Sequence, residues 1–444
     1  MTNMDKNTKY ETVLETLKET AEKRERAGLY TAMGFSSNLD LLMEFQVEKL
    51  NELLQEHMPE MLPEEARPFS PVRTRDELLQ TIVYFCIHGI GGEADITDPS
   101  LVKDHFVCTN AMGGTATQAA MALSKVGGHT VVHLTDDSRE VCEQLDSPYI
   151  HLAHEDGHLC RAGEVKSHNP QEIHFILQFK KGDLIRTGGR SVSIPCSNRL
   201  ILTKNTVNES LPFWEPYFRW IEEHARQVTS NVLSSFNAIQ DPELLKERLE
   251  RVKAHVELYH ERNPEGIIYF EDAHYHNAEI RRICMDTLYP YVDIMSMNEE
   301  ELQYTLEKMY RYPVDLENVI SCAEGAEFLK NEYRVRKGIV IHTKDYAMFV
   351  GDPGKAQIEN GLMFGSVMAT AKAEYGGYGG EKEIEEVLRL SLSEQGLRYA
   401  EILEKSEWRG RAFLVPTRYI DKPKYTIGLG DSFTGGMQLC FGCE

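Results

Sequence analysis

The sequence predicts a doubly wound α/β protein that carries a smaller, sheet-bearing lid. Three observations predict it: short apolar runs that alternate with helical stretches, polar or acidic residues placed directly after those runs, and two segments that break the alternation. Parallel strands covered on both faces read as near-continuous apolar runs, and the connections between them must be helical crossovers. In such sheets ligands sit beyond the carboxyl ends of the strands. The residues that follow each run are therefore where chemistry is expected.

The elements follow in order. Tyr10, Val13, Leu14, Leu17 and Ala21 recur at helical spacing up to Gly28 and predict an amphipathic helix. Residues 29–34 read as a strand, and residues 35–40 as a polar loop ending at Asp40. Residues 41–107 are acidic, mixed in pattern and interrupted by Pro59, Pro63, Pro68 and Pro71, so they read as an insertion. From Asn110 the rhythm is regular: Gly113-Gly114, a small-residue helix over 115–126 stopped by Gly127, and a strand over 130–134. Residues 173–179, 191–194 and 199–203 read as further strands, joined by Lys180-Lys181-Gly182-Asp183, that pair with the insertion. Later strands are expected at 231–235, 266–270, 292–295 and 338–342. The resulting division gives residues 1–40, 108–165 and 207–444 to a large α/β domain, and 41–107 with 166–206 to the lid.

Composition excludes several function classes. The 444 residues hold 48 Lys and Arg against 70 Asp and Glu, a net charge of −22, which argues against a nucleic-acid partner because that affinity comes from basic residues. No apolar run approaches the roughly 20 residues that span a bilayer. Residues 1–6 lack the charged and apolar regions of a signal peptide, so a cytoplasmic address is expected. The nine cysteines are scattered singly, which suits a reducing compartment, and the lone Cys440-x-x-Cys443 reads as a chance pairing.

The sharpest chemical feature is Gly428-Leu429-Gly430-Asp431. Two glycines permit a tight turn whose backbone N–H groups converge on an anion, and Asp431 stands where a base is needed; an ordinary glycine turn with a helix-opening acid is the alternative. Asn298 and Glu301 have the spacing of a capping box, but they follow a strand, as does Glu271, and carboxylates after neighbouring strands suit Mg²⁺. Asn38 and Asp40 offer an amide and a carboxylate to sugar hydroxyls, or form an Asx turn. Gly113 and Gly114 allow a ligand close to the backbone, or tight helix–strand packing. A G-x-x-x-x-G-K-[ST] loop and a G-x-G-x-x-G fingerprint are both missing, which speaks against a P-loop nucleotide site and a nicotinamide enzyme.

Taken in order, these pieces resemble the ribokinase-like superfamily and, within it, the ADP-dependent glucokinase/phosphofructokinase family. The resemblance rests on Asn38-x-Asp40, Gly113-Gly114, Asn298-x-x-Glu301, His342-Thr343, Val415-Pro416-Thr417-Arg418 and Gly428-x-Gly430-Asp431, and it spans nearly the whole chain. It implies a ribokinase-like body with a lid that closes on a sugar. Asp431 would take a proton from a sugar hydroxyl as that oxygen attacks the β-phosphate of ADP, releasing AMP, with Gly428 and Gly430 in the anion hole. Glu271, Glu301 and Asn298 would hold Mg²⁺, Asn38, Asp40, Gly113 and Gly114 would orient the sugar, and His342, Thr343 and Val415 would lie near the adenine. The family commonly shows H-x-E where this chain has Tyr269-Phe270-Glu271. The acceptor is glucose or fructose 6-phosphate: Glu93 resembles the glutamate of glucose-using members, whereas Arg199, with Lys180 or Lys181, could clamp a sugar phosphate. An ATP-dependent sugar kinase and a catalytically weak regulatory binder are the other readings.

Overall fold

Segments rich in Val, Ile and Leu with little polar alternation must be covered on both faces. The computed structural model, which describes residues 9–275 and 277–442, gathers them into one ten-stranded sheet. Residues 1–6 and Cys443 lie outside the described residues. Across the sheet run Ala412–Pro416, Tyr346–Gly351, Gly338–His342, Ile294–Asn298, Ile267–Glu271, Val228–Leu233, Tyr30–Met33, Thr130–Val132, Ile150–Ala153 and Leu159–Arg161. The strands from Gly338–His342 to Ile150–Ala153 are mutually parallel. Both sides of the sheet are packed. Along Ile267–Glu271, Ile267 and Tyr269 enter one buried apolar cluster while Ile268 and Phe270 enter the other, as the two-residue period of a strand requires.

The edges differ from the all-parallel expectation. Tyr346–Gly351, Ala412–Pro416 and Leu159–Arg161 pair antiparallel. Between His342 and Tyr346 the Thr343 hydroxyl accepts from the backbone N–H of Asp345 and Tyr346, both at 3.1 Å, and reverses the chain in a turn too short for a crossover helix.

A second, five-stranded sheet has the order Gly92–Asp95, Asn198–Lys204, Ile173–Phe179, Asn38–Met43, Cys108–Gly113. This corrects the reading of residues 35–40 as a loop: Asn38–Met43 is a strand, in which Asn38 and Asp40 alternate with the core residues Leu39 and Leu41. The small sheet therefore begins at Asn38 and takes in Cys108–Gly113, beyond the 41–107 segment at both ends. A second correction concerns residues 191–194. Arg190–Ser193 pairs only with Leu184–Thr187, in a separate hairpin turned by Gly188 and Gly189, both at positive φ. Among the described residues no helix is long and apolar enough to cross a membrane.

Beneath the ends of the central strands lies a buried ion pair. Arg281 Nη2 stands 2.5 Å from Asp272 Oδ2 and 2.5 Å from Thr305 Oγ1, and the Tyr289 hydroxyl donates to Asp272 Oδ1 at 3.3 Å. Asp272 N in turn donates to Ser296 O at 2.8 Å, which fixes the chain just past Glu271. Removing one member strands the other charge in the core. Arg281→Met is expected to lower stability by about 3–5 kcal/mol, and an Arg281→Met/Asp272→Asn double variant by clearly less, as read from urea unfolding at pH 7.

Candidate active site

Between the carboxyl ends of the parallel strands and one face of the small sheet lies a cavity of about 800 Å³. The small sheet contributes Asn38, Asp40, Glu93 and Arg199 to its wall, and the body contributes Gly114, Glu271, Gly428 and Asp431. Residues up to 393 positions apart in sequence thus face one space, and all eight were singled out by the sequence.

Gly428 caps the helix Leu429–Met437 in the left-handed region, at φ 69° and ψ 24°. A Cβ there would also stand 2.0 Å from Gln118 Oε1 and 3.0 Å from Lys372 Cε, so both conformation and space demand glycine. At Gly430 the requirement is close approach alone, to His342 Cε1 at 3.2 Å. Asp431 sits in the first turn of that helix, where backbone N–H groups are unpaired and the helix dipole is positive. Burial and the charge of Glu271 push its carboxyl up to about 6, with Lys372 and Thr115 opposing.

On the facing sheet, Asn38 Nδ2 donates to Asp40 Oδ1 at 2.6 Å and lies 3.1 Å from His174 Nδ1. Burial raises Asp40 to about 6 against the pull of His174, Asn38, Lys372 and Arg199. Gly113 is opposite Asn38 in the antiparallel register, and a Cβ on it would stand 2.0 Å from Asn38 Nδ2 and 2.4 Å from Asp40 Oδ1. Gly114, at φ 91°, would bring a Cβ to 2.4 Å from Ser36 O. The glycine pair therefore makes room for the amide and carboxylate rather than for ligand alone. Glu93 accepts from Thr203 Oγ1 at 2.7 Å, and Arg199 stands on the neighbouring strand.

Three adjacent parallel strands end in Glu271, Asn298 and His342. Glu271 Oε1 meets His342 Nε2 at 3.1 Å, and Oε2 accepts from Thr434 Oγ1 at 2.7 Å. An imidazole thus stands beside Glu271, supplied by His342 two strands away rather than from position 269. Burial alone would lower His342, but the hydrogen bond and charge of Glu271, with Glu301 and Glu299, leave it raised. Asn298 and Glu301 form the capping box, each side chain bonding the other's backbone N–H at 2.9 Å. Burial, with repulsion from Asp272 and Glu271, holds Glu301 well above the usual carboxylate range. Carboxylate and amide oxygens at the ends of adjacent strands are the donor type that a hard divalent ion takes.

His342, Thr343 and Val415 lie outside the cavity wall. His342 pairs with Ala347, which pairs with Val415, so they share one end of the sheet. Thr343 uses its hydroxyl in the turn, and Val415 is buried in the core. Lys180 and Lys181 are exposed in the lid and do not line the cavity either.

The sequence reading passed over four residues. Glu172, His174 and Ile176 line the cavity at strand period, so the polar face of that strand was available from alternation. Lys372 is the other, a charge inside an otherwise uncharged helical run from residue 360 to 371 and on to Ala373.

Comparison with known proteins decides the family. Residues 30–439 match the sequence signature described as the ADP-specific phosphofructokinase/glucokinase conserved region. The chain belongs to this family. The ADP-specific phosphofructokinase of Thermococcus kodakarensis is 24% identical over 295 residues, 61% of this chain and 62% of that protein. The ADP-specific phosphofructokinase of Pyrococcus furiosus is 21% identical over 93% of this chain and 96% of its own length. The ADP-dependent glucose/glucosamine kinase of the same organism is 24% identical over 90% and 92%. Among solved structures, the last common ancestor of ADP-dependent phosphofructokinases from Methanosarcinales superposes with a TM-score of 0.79 at 20% identity, covering 99% of this chain and 98% of that one. An ADP-dependent kinase in complex with fructose 6-phosphate and ADPβS gives 0.74 at 19% identity, with 99% and 98% covered. The family's ribokinase-like fold is therefore the fold of this chain.

Burial raises Asp431, so the folded state prefers its protonated form. The resulting cost is absent below the ordinary aspartate value of 3.8, grows as pH rises towards about 6, and is complete above it. Asp431→Asn is therefore expected to stabilise the fold by about 1–3 kcal/mol at pH 7.5 and by almost nothing near pH 3.5, in urea titrations at the two pH values.

Proposed function

We propose that this chain is an ADP-dependent sugar kinase that transfers the β-phosphate of ADP to a hydroxyl of glucose or fructose 6-phosphate and releases AMP. The observation that carries this reading is the meeting, in one cavity, of a helix N-terminus opened by Gly428, the carboxylate of Asp431 and the Asn38–Asp40 pair. Phosphoryl transfer asks for little else than positioning and charge stabilisation.

The geometry supports the following roles. Asn38, Asp40 and His174 hold sugar hydroxyls and turn one of them towards Asp431. The acceptor O–H gives its proton to the Asp431 carboxylate, its oxygen forms the new P–O bond, and the bond from phosphorus to the bridging oxygen breaks, leaving with AMP. Backbone N–H groups at Gly428–Asp431 face the phosphoryl oxygens. Glu271 and Glu301, with Asn298, would hold Mg²⁺ through water, and the ion would offset phosphate charge. His342, which grips Glu271, fixes the direction of that carboxylate. Beyond the cavity wall, the adenine would rest at the sheet end that His342 and Thr343 share with the buried Val415.

Glu93 and Arg199 put an acid and a base on adjacent strands of the small sheet, both lining the cavity, suited respectively to a sugar hydroxyl and to a sugar phosphate. Arg199→Met is expected to lower kcat/KM for fructose 6-phosphate at least tenfold more than for glucose. The donor is tested by following AMP and sugar phosphate with ADP or ATP at fixed sugar. Equal amounts of both products from ADP are expected, with a rate that falls as pH drops through about 6, because Asp431 must be ionised to accept the proton. Turnover with ATP alone, or none with either donor, would contradict the proposal.

A further inference from the structure

Lys372 belongs to the helix Ile358–Tyr375 and is 6% exposed. Its Nζ donates to Gln118 Oε1 at 3.1 Å and lies 3.6 Å from the centre of the Tyr378 ring. The Tyr378 hydroxyl donates to the same Gln118 oxygen at 3.2 Å, so amide and phenol hold one another in place. Both partners are neutral, and among the described residues no ion pair joins Lys372 to a carboxylate. A buried ammonium without a counter-ion is costly, and proteins keep one where a ligand supplies the missing charge.

Its surroundings say which ligand. The Lys372 stem abuts the Gly428 turn, with Cε 3.0 Å from the position a Cβ would take there. Lys372 lines a cavity of about 300 Å³ that shares Asp40, Gln118, Thr426 and Ile427 with the main one. Asp431 and Asp40 are the acids whose charge it feels, and both feel it in return. The ammonium therefore stands where the anion-binding turn, the base and the sugar-holding carboxylate converge. Burial lowers it to about 8 while those two acids oppose the fall, so it is mostly charged at neutral pH.

We propose that Lys372 is a phosphoryl-binding residue: its ammonium takes as counter-ion a non-bridging oxygen of the phosphoryl group passing from donor to acceptor. The proposal rests on the transfer reading above. Lys372 keeps its protons and forms no covalent bond. Negative charge on the three equatorial oxygens of the moving group is met by a cation already oriented by Gln118 and Tyr378, so nothing has to reorganise as the bonds change.

The test compares wild type with Lys372→Met and Lys372→Arg in the full chain. Removing one such donor is expected to lower kcat about 100-fold in Lys372→Met with both KM values within about threefold, and Lys372→Arg is expected to recover part of the loss. A second readout needs no turnover: calorimetry with AMP, aluminium fluoride, Mg²⁺ and sugar, a mimic of the group in transit. Lys372→Met is expected to weaken this complex at least tenfold while AMP alone binds as in wild type. A kcat within threefold of wild type, an unchanged mimic affinity, or an equal loss for AMP alone together with a lowered melting temperature would overturn the proposal. Wild-type chain that binds the mimic through Lys372 yet releases no AMP from ADP would instead defeat the transfer reading and leave Lys372 as the anion ligand.

Discussion

The site depends on how closely the helix Leu429–Met437 approaches the helices Thr115–Ser124 and Ile358–Tyr375. Glycine makes that approach possible: a Cβ on Gly435 would stand 2.5 Å from Ala119 O, one on Gly436 would stand 2.8 Å from Gly365 N, and one on Gly365 would stand 2.7 Å from Phe433 O. Three backbones in contact leave no freedom to slide, because close-packed interiors pass displacement on rather than absorb it. The N-terminus of the first helix, with Gly428 and Asp431, is thereby fixed over the ends of the central strands, and Lys372 is carried to the same place by the helix it packs on. A shift of 1 Å at this contact would move the base relative to Asp40, whose position is set independently by the small sheet.

Charge is the second constraint, and it is set locally. A chain of net charge −22 that handles phosphate groups must arrange positive potential against its own total. Around the cavity, Asp40, Asp431 and Glu301 are all raised by burial, and Glu271 and Asp272 add to the repulsion. Arg281 answers Asp272 from below, His342 answers Glu271 from the side, and the charge of Lys372 is felt by both Asp431 and Asp40 without an ion pair to either. On the proposed reading, helix amides and a divalent ion would complete the balance when substrate arrives. The unliganded site thus holds acids that burial disfavours in their charged form, as expected of groups proposed to act on a bound sugar and phosphate.

How much of this was legible in the sequence follows from which forces are local. Gly428, Gly430 and Asp431 stand within one turn, and the strand Gly338–His342 is apolar up to its terminal histidine, so each declares itself within a few residues. Asn38 and Asp40 were found as chemistry but misplaced as a loop, because a six-residue strand with two polar positions shows its alternation only once Leu39 and Leu41 are known to face a core. The antiparallel strands Tyr346–Gly351 and Leu159–Arg161 were hidden for a related reason: their direction is decided by the short turns that precede them, not by the strands themselves. His342 was visible at a strand end, yet its bond to Glu271 spans two strands and 71 positions. Lys372 left a clear mark, one cation in an otherwise uncharged helical run, whose meaning needs its neighbours from distant segments.

The central claim is that one cavity brings a sugar hydroxyl to Asp431 and the β-phosphate of a nucleoside diphosphate to the Gly428 turn. A crystal structure of the chain with a slowly transferred ADP analogue, Mg²⁺ and sugar measures it most directly. The account predicts a sugar oxygen within about 3.2 Å of an Asp431 carboxylate oxygen, in line with a β-phosphate held by backbone N–H groups of residues 428–431. A nucleotide seated away from that turn, or a sugar whose hydroxyls all lie beyond hydrogen-bond reach of Asp431, would contradict it.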